Sequence, residues 1–175
     1  MRFVTVAALF RLSAVRRGLL LFWALWLSVV VVTNVLNALV AVGGLPSGFA
    51  FSSGNWAWIG ETMNPLRVPI WLQAVMFAGA VAWEAAAAVS FWIAFTRFRD
   101  RPLAGEPAAV AACVINLSLW AAFGILDEVF LAYTAEAVHR VIFGNMILTV
   151  VALQTLPGGA ARAPEVGRKR SEKDT

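Results

Sequence analysis

One acidic residue lies deep within a long apolar stretch of this sequence. Glu84 falls in the stretch from Val68 to Phe95, eleven residues before its end. At a rise of about 1.5 Å per residue, a helix over this stretch would place Glu84 roughly 17 Å from that end. A charge near the centre of a bilayer costs about 2.5 kcal/mol or more. Glu84 is therefore the strongest candidate in this sequence for a residue with a specific chemical role.

Two interpretations of Glu84 are open. Gln73 and Ala80 share its predicted helix face, so its carboxyl is expected to point into a helix bundle. In the first interpretation it binds a proton or a cation, or it anchors a ligand. In the second, a protonated carboxyl bonds to a neighbour such as Asn116 and joins two helices. The second is favoured, because polar groups in membrane bundles often serve as contacts between helices.

A further group of polar residues lies near the predicted outer ends of the helices. It consists of Asn34, Asn37, Asp127, Glu128 and Arg140. Glu128 and Arg140 flank a short turn, and we expect them to pair across it. Charges near helix ends commonly sit at the level of the lipid headgroups. The favoured interpretation is therefore a structural cluster whose members satisfy one another.

Glu136 and His139 have the Glu-x-x-His spacing of di-iron carboxylate bundles, where an offset of three places both side chains on one helix face. Those centres need a second copy of the motif and further carboxylates. The alternative is a single metal bound by Glu136, His139 and either Asp127 or Glu128. No cofactor is predicted, and no catalytic triad, phosphate loop or dinucleotide fingerprint occurs. The sequence favours a protein that is not an enzyme.

The composition is that of a membrane protein. Of 175 residues, 61% are hydrophobic and 14% are charged, and the mean hydropathy is +0.77. Soluble domains are about half apolar and about a quarter charged. The net charge of +4 comes from basic residues that flank apolar blocks, without the basic stripe of a nucleic-acid interface. We therefore predict a lipid bilayer as partner and no nucleic acid.

Four apolar stretches are long enough to cross a bilayer as helices, at 19–42, 68–95, 108–131 and 138–156. The predicted fold is all-α, an integral membrane four-helix bundle that forms one domain over 19–156. Residues 43–67 are predicted to form an outer loop without helix, lying against the headgroups. Residues 1–18 are predicted to form a cytoplasmic segment with an interfacial helix. Residues 157–175 are predicted to be a disordered basic cytoplasmic tail.

The basic residues are unevenly distributed between the two predicted sides. Twelve of the fourteen Lys and Arg residues precede the first span, lie between the second and third, or follow the fourth. Only Arg67 and Arg140 fall on the other side. The positive-inside rule then places both termini in the cytoplasm. We predict a multi-pass protein of the cell (inner) membrane, with anionic lipids bound at its cytoplasmic face.

Short segments throughout the chain resemble the prokaryotic "predicted small integral membrane protein" family, a domain of unknown function with four predicted helices. The matching segments are Asn34 and Asn37, Gly48–Phe51, Trp83–Ala85, Leu119–Trp120, Phe123–Gly124, Glu128–Phe130 and His139–Phe143. The chain departs from the family in a shorter outer loop and in Asp127-Glu128, where Gly-Glu is expected. The resemblance implies the four-helix architecture. It implies no activity, since the family has none assigned.

Three functions follow as hypotheses. The favoured one is a non-catalytic accessory or scaffold subunit of a membrane complex, or a homo-oligomer, because the chain is small and has no predicted extramembrane domain. The alternative is a small transporter or channel with Glu84 as its titrating group in the membrane. The third is a membrane metal-binding protein that uses Glu136 and His139.

Overall fold

The computed structural model describes residues 12–156, and the regular structure of these residues is entirely helical. The α-helices are α1 (Leu12–Ala41), α2 (Asn55–Met63), α3 (Ile70–Arg97), α4 (Pro107–Val129) and α5 (Tyr133–Thr155), with a short 3-10 turn at Leu103–Gly105. The predicted tail at 157–175 and the first eleven residues of the predicted cytoplasmic segment lie outside the described residues.

Four of the five helices are long and apolar enough to cross a membrane, as the sequence predicted. They are α1, α3, α4 and α5, with 23 to 30 residues each. At about 1.5 Å per residue even the shortest reaches roughly 35 Å, which exceeds a hydrocarbon core of about 30 Å. The predicted bounds were short at two ends, because hydropathy marks only the apolar part of a helix. α1 already begins at Leu12, and α5 begins at Tyr133.

The outer loop predicted for 43–67 contains a helix, and that part of the prediction was wrong. α2 has nine residues, and an isolated helix of this length is unstable in water. Gly54, the residue before it, has no side chain to cap its first turn. The cap comes from another helix, since the Trp56 N–H donates to Asn37 Oδ1 on α1 at 2.8 Å. Tertiary contact therefore stabilises a helix that local sequence does not.

The long helices pack in the order α1, α3, α4, α5, and α1 makes few contacts with α5. The contiguous cluster of buried apolar residues lies in the half of the bundle that holds the α3–α4 connection. Alanines such as Ala87 and Ala112 let the helices approach closely there. The core residues are Leu20, Trp23, Ala24, Leu27, Ala87, Ala88, Phe91, Ala94, Leu103, Ala109, Ala112, Cys113, Met146 and Leu153.

We call this half of the molecule the basic half, because it carries Arg16, Arg17, Arg97, Arg99 and Arg101. The Arg16 guanidinium is buried and bonds to Asp100 Oδ1 at 2.9 Å and to the Arg101 carbonyl. It also lies 5.2 Å from the centre of the Phe98 ring. Arg16 thus ties the start of α1 to the α3–α4 connection.

The α3–α4 connection is held from within by Glu106. Its Oε1 accepts the backbone N–H groups of Arg99, at 2.9 Å, and of Arg101, at 3.0 Å. Between these two residues Asp100 has a φ of 59°, the left-handed conformation that a tight reversal requires. The basic half is therefore closed by fixed backbone as well as by packed side chains.

The outward-facing sides of the long helices are apolar. Large residues such as Val75, Val114, Ile125 and Leu148 are more than half exposed. In water a surface of this kind would be an aggregation hazard, whereas lipid tails cover it at no cost.

Candidate functional site

A cavity of about 620 Å³ lies in the other half of the bundle, where α2 packs. We call this the cap half, and the cavity the aromatic cavity. All five α-helices line it, and its volume is in the range of small-molecule sites, about 300 to 1,000 Å³. Its aromatic lining comprises Trp26, Trp58, Phe77, Trp83, Trp120, Phe123 and Phe130.

Small residues keep the aromatic cavity open. Gly79 and Ala80 on α3 and Ala122 on α4 line it, and a Cβ added at Gly79 would meet nothing within 4 Å. The weak contact between α1 and α5 leaves further space. Sequence reasoning missed this cavity, because small residues equally predict close helix packing, as they produce in the basic half.

A second, smaller cavity of about 240 Å³ lies between α2 and the α4–α5 turn. Trp58 and Thr62 of α2 line both it and the aromatic cavity, as do Phe130 and Thr134 on the other side. The two spaces therefore adjoin. A molecule arriving at the cap end would reach the aromatic cavity between α2 and this turn.

Glu84 lines the aromatic cavity and is only 4% exposed, so the sequence placed its side chain correctly in the interior. Its Oε2 accepts a hydrogen bond from Asn34 Nδ2 at 2.7 Å. Within residues 12–156 the carboxylate makes no second hydrogen bond. One oxygen is thus engaged by a neutral amide, and the remaining hydrogen-bonding capacity of the group is unused.

The partner expected for Glu84, Asn116 on α4, was wrong. Asn116 Nδ2 donates to the sulfur of Met146 at 3.1 Å, and its Oδ1 accepts the indole N–H of Trp120 at 2.9 Å. Asn116 therefore links α4 to α5, in the role of an interhelical contact, while Glu84 is linked to α1.

Asn34 connects Glu84 to the segment that leads into α2. Its Oδ1 accepts hydrogen bonds from Ser53 Oγ at 2.6 Å and from Asn55 Nδ2 at 2.8 Å. Because Asn37 caps α2 one turn further along, both asparagines of α1 serve the same element. Neither asparagine makes a hydrogen bond to Asp127, Glu128 or Arg140, the residues with which the sequence analysis had grouped them.

Gln73 secures the other end of this segment. It is buried on α3, on the face that the sequence predicted, but it does not contact Glu84. Its Nε2 donates to Asn64 Oδ1 and to the Val68 carbonyl, both at 2.9 Å. α2 is therefore tied at its start to α1 and at its end to α3.

Asp127 and His139 form a second polar element of the aromatic cavity, joining α4 to α5. His139 Nδ1 lies 2.7 Å from Asp127 Oδ2. The imidazole stacks on Phe123, with ring centres 5.0 Å apart and planes inclined by 24°. The ring is thus held on one edge by a carboxylate and on one face by an aromatic ring.

The pair predicted across the α4–α5 turn does not form. Arg140 bonds to Glu136, one helical turn earlier on α5, and Glu128 is exposed. Glu136 and His139 consequently have different partners. Among residues 12–156, no group of three or more His, Cys, Asp and Glu side chains is placed to hold a metal ion.

No family model, curated protein or solved structure matches the chain. Any account of its function therefore has to start from the geometry of the cavity.

Proposed function

We propose that the protein binds an amphipathic small molecule in its aromatic cavity, with Glu84 as the polar anchor, and that it acts as a small transporter. The observation that carries this proposal is a space of about 620 Å³ lined by rings and containing one incompletely bonded carboxylate. Ligand sites are typically apolar and contain a few placed polar groups. A structural carboxylate would need no adjoining space.

Native mass spectrometry of the full chain tests this proposal. Ala80 lines the cavity and Ala86, on the same helix, is exposed away from it. We expect wild-type protein to retain a bound molecule after mild purification. Ala80→Phe should remove that molecule, because the added ring occupies its space, and Ala86→Phe should retain it. Identical bound masses in both variants would place the molecule on the outer surface and refute the proposal.

We propose further that both termini are cytoplasmic and that the membrane is the cell (inner) membrane. The distribution of arginines supports this orientation, with five in the basic half and only Arg67 and Arg140 towards the cap end of the described chain. Cys113 is buried, so single introduced cysteines can be labelled selectively. A membrane-impermeant maleimide should label Ser47→Cys in intact cells and Arg97→Cys only after permeabilisation. The reverse pattern would invert the topology.

The accessory-subunit function is a second proposal. It is supported by the short connections between helices, which leave no extramembrane domain between residues 12 and 156. In that case a partner protein, or a second copy, should copurify in mild detergent at fixed stoichiometry. A monomer that elutes alone and still retains a small molecule would favour the transporter. Anionic lipids at the arginines of the basic half remain part of both proposals.

A further inference from the structure

The aromatic cavity has a one-sided set of charges. Among residues 12–156 its ionisable lining residues are Glu84, Asp127 and His139, and none of the described lining residues is Lys or Arg. The remaining polar lining consists of the amides of Asn34 and Asn55, the hydroxyls of Thr62 and Thr134, and the indole N–H groups of Trp26 and Trp58. Sites for anionic ligands usually present arginine, lysine or converging N–H groups. This inventory does not suit an anion.

The buried acidic residues other than Glu84 are already compensated. Glu106 accepts two backbone N–H groups, and Glu136 bonds to Arg140. Asp127 accepts a hydrogen bond from His139. Each of these carboxylates has a structural partner that accounts for its burial.

Glu84 differs from all three. Its partner within the described chain is the neutral amide of Asn34, which is itself committed through its oxygen to Ser53 and Asn55. A carboxylate in an apolar site is costly unless a positive charge accompanies it. Since no side chain of residues 12–156 supplies that charge, the carboxyl is either protonated or paired with a bound cation, and a cation that enters the cavity would take the place of the proton.

The aromatic residues that line the cavity also favour a cation. Trp83 donates its indole N–H to the Ile115 carbonyl at 3.3 Å, and Trp120 donates to Asn116. These two rings therefore present carbon surface to the cavity and no N–H donor. Aromatic faces attract cations through their quadrupole, and most strongly where water is excluded. Rings around a carboxylate are the combination that recognises organic ammonium ions.

We infer that the ligand of the aromatic cavity is a lipophilic organic cation, held by Glu84 and by the surrounding ring faces. This inference rests on the proposed function and narrows it to one chemical class. The cation carries its charge on a bulky apolar body, since a small hydrated ion would not fill the space or contact the rings.

Two isosteric ions of opposite charge test the inference directly. Tetraphenylphosphonium and tetraphenylborate have nearly the same shape and opposite charge. The difference between their affinities, each corrected for partition into empty micelles, therefore reports the charge preference of the cavity. Binding would be measured by calorimetry with the purified full chain in a non-ionic detergent, with empty micelles as the blank. We expect the phosphonium to bind about tenfold more tightly or better. Equal affinity, a preference for the borate, or no binding of the phosphonium would overturn the inference.

Charge-removing variants locate the effect. Glu84→Gln should weaken phosphonium binding about tenfold or more. It should not weaken borate binding, because removal of the carboxylate also removes its repulsion of an anion. Glu128→Gln removes an exposed carboxylate outside the cavity and should change neither. Gel filtration establishes that each variant is folded, and the comparison of the two ions on wild-type protein requires no variant. An unaltered phosphonium affinity in folded Glu84→Gln would also overturn the inference.

The native mass spectrometry experiment separates the two possible failures. If Ala80→Phe expels a bound molecule while both probe ions bind alike, the cavity takes apolar molecules regardless of charge. The proposed function then stands and the cation inference falls. If Ala80→Phe and Ala86→Phe retain the same molecule, the proposed function itself falls.

Discussion

The two halves of this bundle are the two ends of the same four long helices and yet differ in packing. In the basic half, Trp23, Phe91 and Met146 fill the space between helices and belong to the contiguous cluster of buried apolar residues. In the cap half, Gly79, Ala80 and Ala122 leave the aromatic cavity unfilled. Lipid is as apolar as a leucine side chain, so no hydrophobic force closes a gap between membrane helices. Packing must come from side chains of the right size.

The buried polar groups differ between the halves as well. The basic half uses charged groups, with Arg16 and Glu106 bonded to the α3–α4 connection. In the cap half the amides of Asn34, Asn37 and Gln73 hold the segment containing α2. The charged groups of that half, such as Asp127 and His139, join α4 to α5 and do not contact this segment through hydrogen bonds. Charged groups therefore hold the α3–α4 connection of the basic half, and amides hold the segment containing α2 in the cap half. This division can be tested by substitutions in either half.

The largest loss of stability should come from the packed core. Phe91 is fully buried and stacks on Trp23, with ring centres 6.1 Å apart. We expect Phe91→Ala to lower the free energy of unfolding by about 3 kcal/mol, through lost contacts and a cavity. Unfolding in mixed micelles with sodium dodecyl sulfate would measure it. Val89→Ala, at an exposed position of the same helix, should change little. Equal losses from the two substitutions would mean that the interior of the basic half is no better packed than its surface.

A smaller loss is expected where α1 meets the α3–α4 connection. Arg16→Met retains most of the apolar stem and removes the hydrogen bonds to Asp100 and the Arg101 carbonyl. Hydrogen bonds of a charged group contribute about 2 kcal/mol, and the Asp100 side chain is 23% exposed, which limits the effect. Arg17→Met removes an exposed arginine that lies over Phe95 and serves as the control. Comparable losses for the two would deny Arg16 a special role.

In the cap half, loss of one amide should act locally. Asn37→Ala removes the cap of α2, which costs about 1 kcal/mol. We expect faster hydrogen–deuterium exchange in Asn55–Met63 and unchanged exchange in the core helices. Thr33→Ala, whose hydroxyl bonds only within α1, should leave α2 unaffected. If exchange increased throughout the molecule, the view of α2 as a separately attached cover would fail.

The smallest effect should come from Glu136 and Arg140. Glu136 is largely buried, but the Arg140 side chain is 70% exposed, so solvent screens the pair and it contributes about 0.5 kcal/mol or less. Glu136→Gln should lower stability by that amount at low salt and have no effect at high salt. Glu128→Gln should have none at either, because Arg140 pairs elsewhere. A larger effect of Glu128→Gln would restore the pair predicted from sequence.

Hydropathy was sufficient to predict the four long helices, because a spanning segment is an additive property of its own residues. α2 was missed because its stability is not a property of its own residues: the side chain that caps it belongs to α1. The burial of Glu84 and Gln73 was predictable from their shared helix face. Their partners were not, because periodicity gives the face of a helix and leaves open which neighbour lies against it.

The partner of Glu84 shows how such a prediction fails. Distances along the helices can be counted from their ends in the cap half. Glu84 lies roughly 21 Å along α3 and Asn116 roughly 20 Å along α4, whereas Asn34 lies only about 10 Å along α1. Depth alone therefore favours Asn116. The bond between Glu84 and Asn34 means that α1 and α3 do not end at one level. Such staggering depends on the segment that joins the two helices, here the one that contains α2.

The hydrogen bonds that attach α2 also have an order in time during synthesis. All of them lie between residues 33 and 84, so they can form once α3 has left the ribosome. The bond from Trp23 Nε1 to Thr149 Oγ1, 3.0 Å long, joins the first long helix to the last and must wait for α5. A nascent chain halted before α5 would therefore already hold Glu84 against Asn34, with one wall of its cavity still missing.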